Sequence, residues 1–395
     1  MSIKLSSRVQ AVKPSPTLAI TARAAEMRAA GKDVIGLGAG EPDFDTPDHI
    51  KAAAIKAIND GFTKYTPVDG TVGLKKAIIE KFKRDNGFDY KPEQILVSCG
   101  GKQSFYNLAQ AILDPGDEVI IPVPYWVSYP DMTLLAGGVP VLAQAGAEQR
   151  FKITPAQLQA AITDKTRLLV INSPSNPTGM AYTREELEAL GKVLLEHPRV
   201  AVATDDMYEH ILWTEEPFVN ILNACPELVD RCFVLNGVSK AYSMTGWRIG
   251  YAAGPADVIK AMKKIQSQST SNPTSISQVA AQAALEGPQD CIQEMLTAFK
   301  ERHDYVVDRL NRMPGVSCLP ADGTFYVFPN VEAALKNIDG VNNDLELAEY
   351  LIEQAGVALV PGTAFGLGGH VRLSIATSMA NLTNALDRLE KTLAG

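Results

Sequence analysis

The chain has 395 residues, which at roughly 150 residues per domain suggests two or three structural units and excludes a small disulfide-stapled or metal-built scaffold. Hydrophobic residues make up 46% and charged ones 21%, close to the average of soluble globular chains, so a large core is possible and general disorder is not expected. The 45 acidic side chains exceed the 37 basic ones, for a formal charge of −8. Such a balance repels phosphate backbones and anionic lipid, which argues against nucleic acid or membrane as a partner.

The N-terminus carries Lys4 and Arg8 but no apolar stretch of the kind a signal peptide needs, and the first 45 residues are rich in Pro and Gly. The most apolar uncharged stretch, residues 132–147, contains Gly137, Gly138 and Pro140 and is too short to span a bilayer. From about residue 50 to 290, short apolar runs at 94–97, 118–123, 167–172, 200–204, 232–235 and 249–252 alternate with longer helical patterns. That alternation predicts an α/β fold with a mostly parallel sheet covered by helices on both faces. Helices are expected over 102–112 and 183–196, the latter with Thr183 as N-cap and Glu186 closing a capping box. After residue 290 the pattern changes to a long charged helix over 292–312, strands near 324–328, 358–360 and 371–375, and a terminal helix. The expected division is an N-terminal segment over 1–45, a large domain over 46–290 and a smaller α+β domain over 291–395. Five cysteines, widely spread and without a C-x-x-C, fit a reducing compartment, with the cytoplasm as the default.

Ser98-Cys99-Gly100-Gly101-Lys102-Gln103 directly follows a strand and opens a helix, where bare backbone N–H groups and the helix dipole favour a phosphate. It also reads as an ordinary strand-to-helix turn, and it is not a Walker P-loop. Gly36-Leu37-Gly38-Ala39-Gly40 misses the dinucleotide fingerprint, since its third glycine comes one residue early. Asn172-Ser173-Pro174-Ser175-Asn176-Pro177-Thr178-Gly179 lies just past a strand, at the edge where open α/β sheets bind ligands. Asp205 and Tyr208 follow the next strand. Asp205, Asp206, Glu209 and His210 could be read as metal ligands, but their spacing matches no recognised site, and no metal is expected. In Ser239-Lys240-Ala241-Tyr242-Ser243-Met244-Thr245-Gly246-Trp247-Arg248, Lys240 stands just beyond an apolar strand; there it is either a snorkelling surface cation or, if desolvated, a nucleophile toward a carbonyl. Arg248 is a fixed cation suited to a phosphate, and Arg372, in a predicted strand of the C-terminal region, is either an exposed strand arginine or a carboxylate clamp. Together a lysine, an acid, a phosphate cup and a carboxylate clamp are the equipment of a pyridoxal-phosphate site.

At this point the chain resembles the aspartate aminotransferase family of class I aminotransferases, fold type I, and most closely its bacterial subgroup Ib. The resemblance runs nearly end to end, through Arg8-Val9-Gln10, Gly38-Ala39-Gly40-Glu41-Pro42-Asp43-Phe44, Tyr65-Thr66-Pro67, the Gly-Gly-Lys turn, Pro124-Tyr125-Trp126, Asn176-Pro177-Thr178-Gly179, Ser239-Lys240 and Val360-Pro361-Gly362. It implies that Lys240 is the Schiff-base lysine and that Asp205 faces the pyridine nitrogen of pyridoxal 5'-phosphate. Tyr208 and Asn176 would bond the ring's 3-oxygen and Trp126 would stack on the ring. Gly101, Lys102, Ser239 and Arg248 would hold the phosphate, joined by Tyr65 from the other subunit of a homodimer with shared active sites. Arg372, helped by Asn176 and the Gly40 backbone, would take the substrate α-carboxylate.

The family's enteric and animal branch grips the distal carboxylate with an arginine from the segment matching residues 266–278, and here that segment has none. Subgroup Ib resembles this chain in using Lys102 with Ser15 and Thr17, and Lys13 could add contact to a larger dicarboxylate such as prephenate. The implied activity is amino transfer from aspartate to 2-oxoglutarate. The alternatives are an aspartate/prephenate or aromatic aminotransferase, a lyase on the same fold, or a non-catalytic effector-binding module, the last disfavoured because no basic helix-turn-helix segment is appended.

Overall fold

The structure is a computed structural model that describes residues 3–394, with every side chain among them except that of Leu18. Its centre is a seven-stranded sheet. In chain order the strands are β1 (Ile95–Ser98), β2 (Glu118–Val123), β3 (Val139–Gln144), β4 (Thr166–Asn172), β5 (Ala201–Asp205), β6 (Cys232–Gly237) and β7 (Gly250–Ala253). Across the sheet they run β1-β7-β6-β5-β4-β2-β3; β7 is antiparallel to both of its neighbours and every other pair is parallel. A sheet covered on both sides needs apolar side chains pointing both ways. Accordingly Ile95, Val97, Ile120, Leu169 and Val202 join one buried cluster, while their neighbours Leu96, Val119, Ile121, Leu168 and Val170 join another.

Six of these strands coincide with the expected apolar runs, and β3 was not among them. It lies inside the stretch 132–147, whose continuous apolarity hides a break: the helix Ser128–Leu135 ends, Gly137 turns the chain at φ 87°, and β3 follows as an edge strand. Pro140 is tolerated there because an edge strand has one unpaired side. The capping box at the helix Arg184–Glu196 forms as expected, the Glu186 amide donating to the Thr183 hydroxyl at 3.3 Å and the Thr183 amide to the Glu186 carboxylate at 2.8 Å.

A second core gathers Phe299, Val306 and Leu310 of the helix Asp290–Arg312 with Leu382, Leu386 and Leu389 of the helix Met379–Leu393. Beside it, Val360–Pro361, Val371–Ser374 and Tyr326–Val327 form a three-stranded antiparallel sheet. The single strand expected at 358–360 divides in two. Val357–Ala358 pairs in parallel with Ile35–Gly36, and Val360–Pro361 pairs with Val371–Ser374. The N-terminal segment thus adds a strand to the C-terminal region. Among the described residues no helix is long and apolar enough to cross a membrane.

Strands β1, β4, β5 and β6 all point the same way, so the turns after them meet along one edge of the sheet. Open α/β sheets bind ligands at such carboxyl ends, and the strand-end motifs Gly101, Asn176, Asp205 and Lys240 are brought to that edge.

Candidate active site

The central part of the site follows from strand register. Asn172, the last residue of β4, pairs with Asp205, the last of β5. The Asn172 side chain donates to the Asp205 carbonyl at 3.0 Å and accepts the Asn176 amide at 2.8 Å, which fixes the loop carrying Asn176. The Asp205 carboxylate accepts the Tyr129 hydroxyl at 2.5 Å and the Met207 amide at 3.2 Å. Burial pushes the Asp205 carboxyl above its ordinary range, and these two bonds pull against it.

Strand β6 runs on through Val238 and Ser239 to Lys240, whose amine donates to the Gly40 carbonyl. Withdrawal from water lowers the Lys240 pKa to about 8; Arg372 and Arg248 act in the same direction, and Glu41 and Asp205 oppose them. At neutral pH the fraction of free amine is therefore roughly 300 times that of an ordinary lysine.

One end of the site is built by the turn after β1. Gly100 sits at φ 91°, a conformation that glycine adopts without steric penalty, and a Cβ there would lie 2.3 Å from the Arg248 guanidinium. Arg248 therefore packs flat against the turn, donating to the carbonyls of Thr245 at 2.9 Å and Cys99 at 3.3 Å. A Cβ on Gly250 would be 2.3 Å from the Gly101 amide nitrogen, so β7 brings its backbone against the start of the helix Gly101–Ile112. The first amides of that helix have no carbonyl one turn back to bond. With Arg248 and the buried hydroxyl-bearing Ser239, they form a concave, positively polarised seat suited to a phosphate.

At the opposite end stands Arg372, from the strand Val371–Ser374 and only 2% exposed. It donates to Asn176 Oδ1 at 2.9 Å and to the Gly38 carbonyl at 2.7 Å, while its Nε finds no partner. A buried guanidinium with an unfilled donor edge is suited to a carboxylate. The Tyr326 ring lies under it, 4.3 Å from its central carbon.

Between these ends lies a cavity of about 440 Å³ whose lining holds Gly40, Gly101, Lys102, Trp126, Asn176, Asp205, Tyr208, Ser239, Lys240, Arg248 and Arg372, with Ser15 and Thr17 from the N-terminal segment. Lys102 Nζ stands 5.2 Å from the centre of the Trp126 ring. Lys13 and Tyr65 are not part of this lining. Tyr65 is 92% exposed, on the outside of the chain.

Sequence reasoning missed three residues here. Tyr129 bonds Asp205, and its signal was its place three residues after Trp126, one helical turn away. Tyr326 contacts Tyr208 and Arg372 but sits in an apolar strand pattern that gave no signal. Glu209 is buried behind Tyr208, where Lys81, Asn86 and Asn236 all donate to its carboxylate. Its neighbour Asp206 accepts from Thr204 at 2.6 Å and from Asn220. Asp205, Asp206 and Glu209 are thus all engaged by protein donors, and among the described residues no group of three or more His, Cys, Asp or Glu could hold a metal ion.

Residues 32–389 match the model of the family "Aminotransferase class I and II". The aspartate/prephenate aminotransferase of Nitrosomonas europaea is 59% identical over 99% of this chain and 100% of its own length. Among solved structures, the aspartate aminotransferase of Rhizobium meliloti superposes with a TM-score of 0.96 at 49% identity, covering 100% of this chain and 99% of its own. The aspartate aminotransferase of Thermus thermophilus with maleate does so with a TM-score of 0.93 at 44% identity, over 99% and 100% of the two chains. The architecture is the fold type I expected from the sequence. On sequence and fold alike, the chain belongs to the class I and II aminotransferases.

Proposed function

We propose that this aminotransferase works with pyridoxal 5'-phosphate and moves the amino group of aspartate to 2-oxoglutarate. The observation that carries the reading is the single cavity in which an amine of lowered pKa, an acid, a phosphate seat and an unfilled guanidinium edge converge. The residues fit the coenzyme: Gly100 and Gly101 let the turn close against Arg248 and Met207, where a Cβ on either would collide, and Asp205, Lys240, Arg248 and Arg372 line the same cavity. When bound, the coenzyme supplies an electron-withdrawing ring that carries the charge left on the substrate α-carbon.

The chain's own groups do the rest. Asp205 would hold a proton at the ring nitrogen, and Tyr208 and Asn176 would donate toward the ring oxygen. Trp126 would cover one face. The amides of Gly101 and Lys102, the Ser239 hydroxyl and Arg248 would hold the phosphate. Arg372 fixes the α-carboxylate with the help of Asn176 and Gly40, so that the Cα–H bond stands where the Lys240 amine can take its proton and return it. Lys102, Ser15 and Thr17 line the cavity where a distal carboxylate would lie, which supports a dicarboxylic substrate. Prephenate as a second acceptor is supported by the name of the Nitrosomonas europaea relative, with Lys13 as an added contact.

The site is read as shared in a homodimer. Tyr65 is outside its own cavity, and Ile55, Ile58, Phe62 and Val72 are exposed apolar residues from the same stretch of chain; a second copy covering them would bring Tyr65 of the partner subunit to the phosphate. One core drawn from residues 50–292 and another drawn mostly from 295–393 support a division near 290, the packing of Ala24, Met27 and Val34 on Ile352 and Ala358 supports an N-terminal segment over 1–45 that joins the smaller domain, and the free cysteines fit the cytoplasm. Borohydride reduction of the yellow protein and peptide mapping should find the coenzyme on Lys240, and an unmodified Lys240 overturns the reading. In a donor panel of aspartate, glutamate, phenylalanine, arogenate and alanine, dicarboxylates should bleach the colour fastest; no advantage over alanine overturns the substrate.

A further inference from the structure

Tyr326 is 1% exposed, and three groups of the site converge on its side chain. Its hydroxyl lies 3.1 Å from the hydroxyl of Tyr208. Its ring lies under the Arg372 guanidinium at 4.3 Å, close enough for the face of the ring to attract the cation. It also presses on the backbone of Gly40, where a Cβ would stand 2.8 Å from the Tyr326 hydroxyl; the carbonyl of Gly40 accepts from Lys240. Two backbone features hold Tyr326 in place. Its strand is registered against that of Arg372, Ser374 opposite Tyr326 and Leu373 opposite Val327. The turn before it passes through Thr324 at φ 67°, a strained conformation for a β-branched residue, and the Thr324 amide donates to the Ile211 carbonyl at 2.7 Å. Ile211 is three residues beyond Tyr208, so the tyrosine pair is tied through the backbone as well as through the hydroxyls.

Proton counting gives this contact a direction. A phenol has one proton to donate, and Tyr208 must spend its own on the coenzyme's ring oxygen if the function proposed above holds. Tyr208 is then the acceptor of the pair, and the proton between the two oxygens comes from Tyr326.

We propose that Tyr326 is a positioning residue that couples the two ends of the site, its hydroxyl orienting and polarising Tyr208 toward the coenzyme while its ring presents Arg372 to the substrate carboxylate. The inference rests on the coenzyme reading above and deepens it. Because the hydroxyl and the ring do different things, they can be removed separately.

The test titrates the colour of the bound coenzyme against pH and, separately, measures maleate binding, in the holoenzyme and its variants. A hydrogen bond at the ring oxygen favours the deprotonated form over the protonated, yellow-absorbing one, so weakening it should raise the midpoint. Tyr326→Phe should raise it by roughly half to one pH unit and leave maleate affinity within about twofold. Tyr208→Phe should raise it too, and Tyr208→Phe/Tyr326→Phe should match Tyr208→Phe alone, since a residue acting through Tyr208 has no further effect once that hydroxyl is gone. Tyr326→Leu, which removes the ring as well, should weaken maleate roughly three- to tenfold. An unchanged midpoint in Tyr326→Phe, additive shifts in the double variant, or maleate bound equally by the Leu and Phe variants overturns the coupling while the coenzyme reading stands. A wild-type protein with no titrating colour overturns both.

Discussion

Two lysines of this chain are drawn out of bulk water, one against a carboxylate and the other into a cavity where, among the described residues, no carboxylate pairs with it. Lys81, 1% exposed, is paired with Glu209, bonds Asn86 Oδ1 at 2.8 Å and stands 3.8 Å from Asp85. Burial pushes the Glu209 carboxyl up, but Lys81, His210 and Asn86 outweigh it and hold the acid below its usual range. That lysine is held on every side by acceptors of the protein itself. Lys240 faces a cavity, and among the described residues no carboxylate forms an ion pair with it; a backbone carbonyl is its hydrogen-bond partner and two arginines face it. A buried lysine with its countercharge is a structural post, whereas one that lacks a countercharge is kept partly neutral and reactive.

The sharpest break between them should come in turnover. Lys240→Ala removes the amine that takes and returns the α-proton, a role worth about 10² to 10⁴ in rate, and the coenzyme attachment with it. Activity should fall by at least ~10⁴, with the circular dichroism spectrum little changed. Lys81→Met should do the reverse. It leaves the Glu209 carboxylate buried without its cation, which costs about 3 to 5 kcal/mol, read by urea unfolding of the coenzyme-free protein. A loss below ~1 kcal/mol, the range of an exposed pair, would mean that Asn86 and Asn236 already satisfy Glu209 and that Lys81 is dispensable.

From the sequence alone these two lysines could be told apart only in part. Lys240 stands in a strand-end motif beside Ser239, where a mostly parallel sheet presents its ligands, and Asn176 and Asp205 are legible for the same reason. Lys81 is the last residue of the helix Val72–Lys81, and nothing around it announces that Glu209, 128 positions away, will meet it. Tyr129 and Tyr326 were missed on similar grounds. An aromatic residue in a buried helix or strand satisfies the hydrophobic pattern completely, so its hydroxyl leaves no trace in periodicity. The sheet itself was legible except where Gly137 and Gly138 split one apolar stretch into a helix and the edge strand β3. The antiparallel sense of β7 is invisible to a pattern that reports burial and not direction.

A third change compares the two arginines that flank Lys240. Arg248 packs on backbone with its side chain largely exposed, whereas Arg372 is sealed in with an unfilled Nε. Arg372→Lys keeps the charge but loses the fork that bonds Asn176 and Gly38 while still facing a carboxylate. A charge-assisted bond of this kind contributes about 1.5 to 3 kcal/mol, so maleate should bind roughly 10- to 100-fold more weakly. Unchanged affinity would remove Arg372 from substrate binding.

The mildest prediction concerns the proton on Lys240 itself. Only the free amine attacks the coenzyme aldehyde, so capture of pyridoxal phosphate by the coenzyme-free protein should speed up as pH rises and level off above the Lys240 pKa of about 8. Simple titration gives a gain of roughly fivefold between pH 7 and 8; a rate still climbing tenfold per unit at pH 9 would return Lys240 to the status of an ordinary lysine. The same shift fixes the sign of a stability effect. The unfolded chain, with an ordinary lysine near 10.5, binds more protons between about pH 8 and 10.5 than the folded protein does. Stability from this group therefore rises with pH across that window, and the penalty for charging the buried amine is fully present below it. Comparing the wild type with Lys240→Met isolates the term from the tyrosines and cysteines that titrate nearby. The methionine variant should be the more stable of the two at pH 7, with the difference shrinking toward pH 10.5, because the same withdrawal from water that frees the Lys240 amine penalises its charged form.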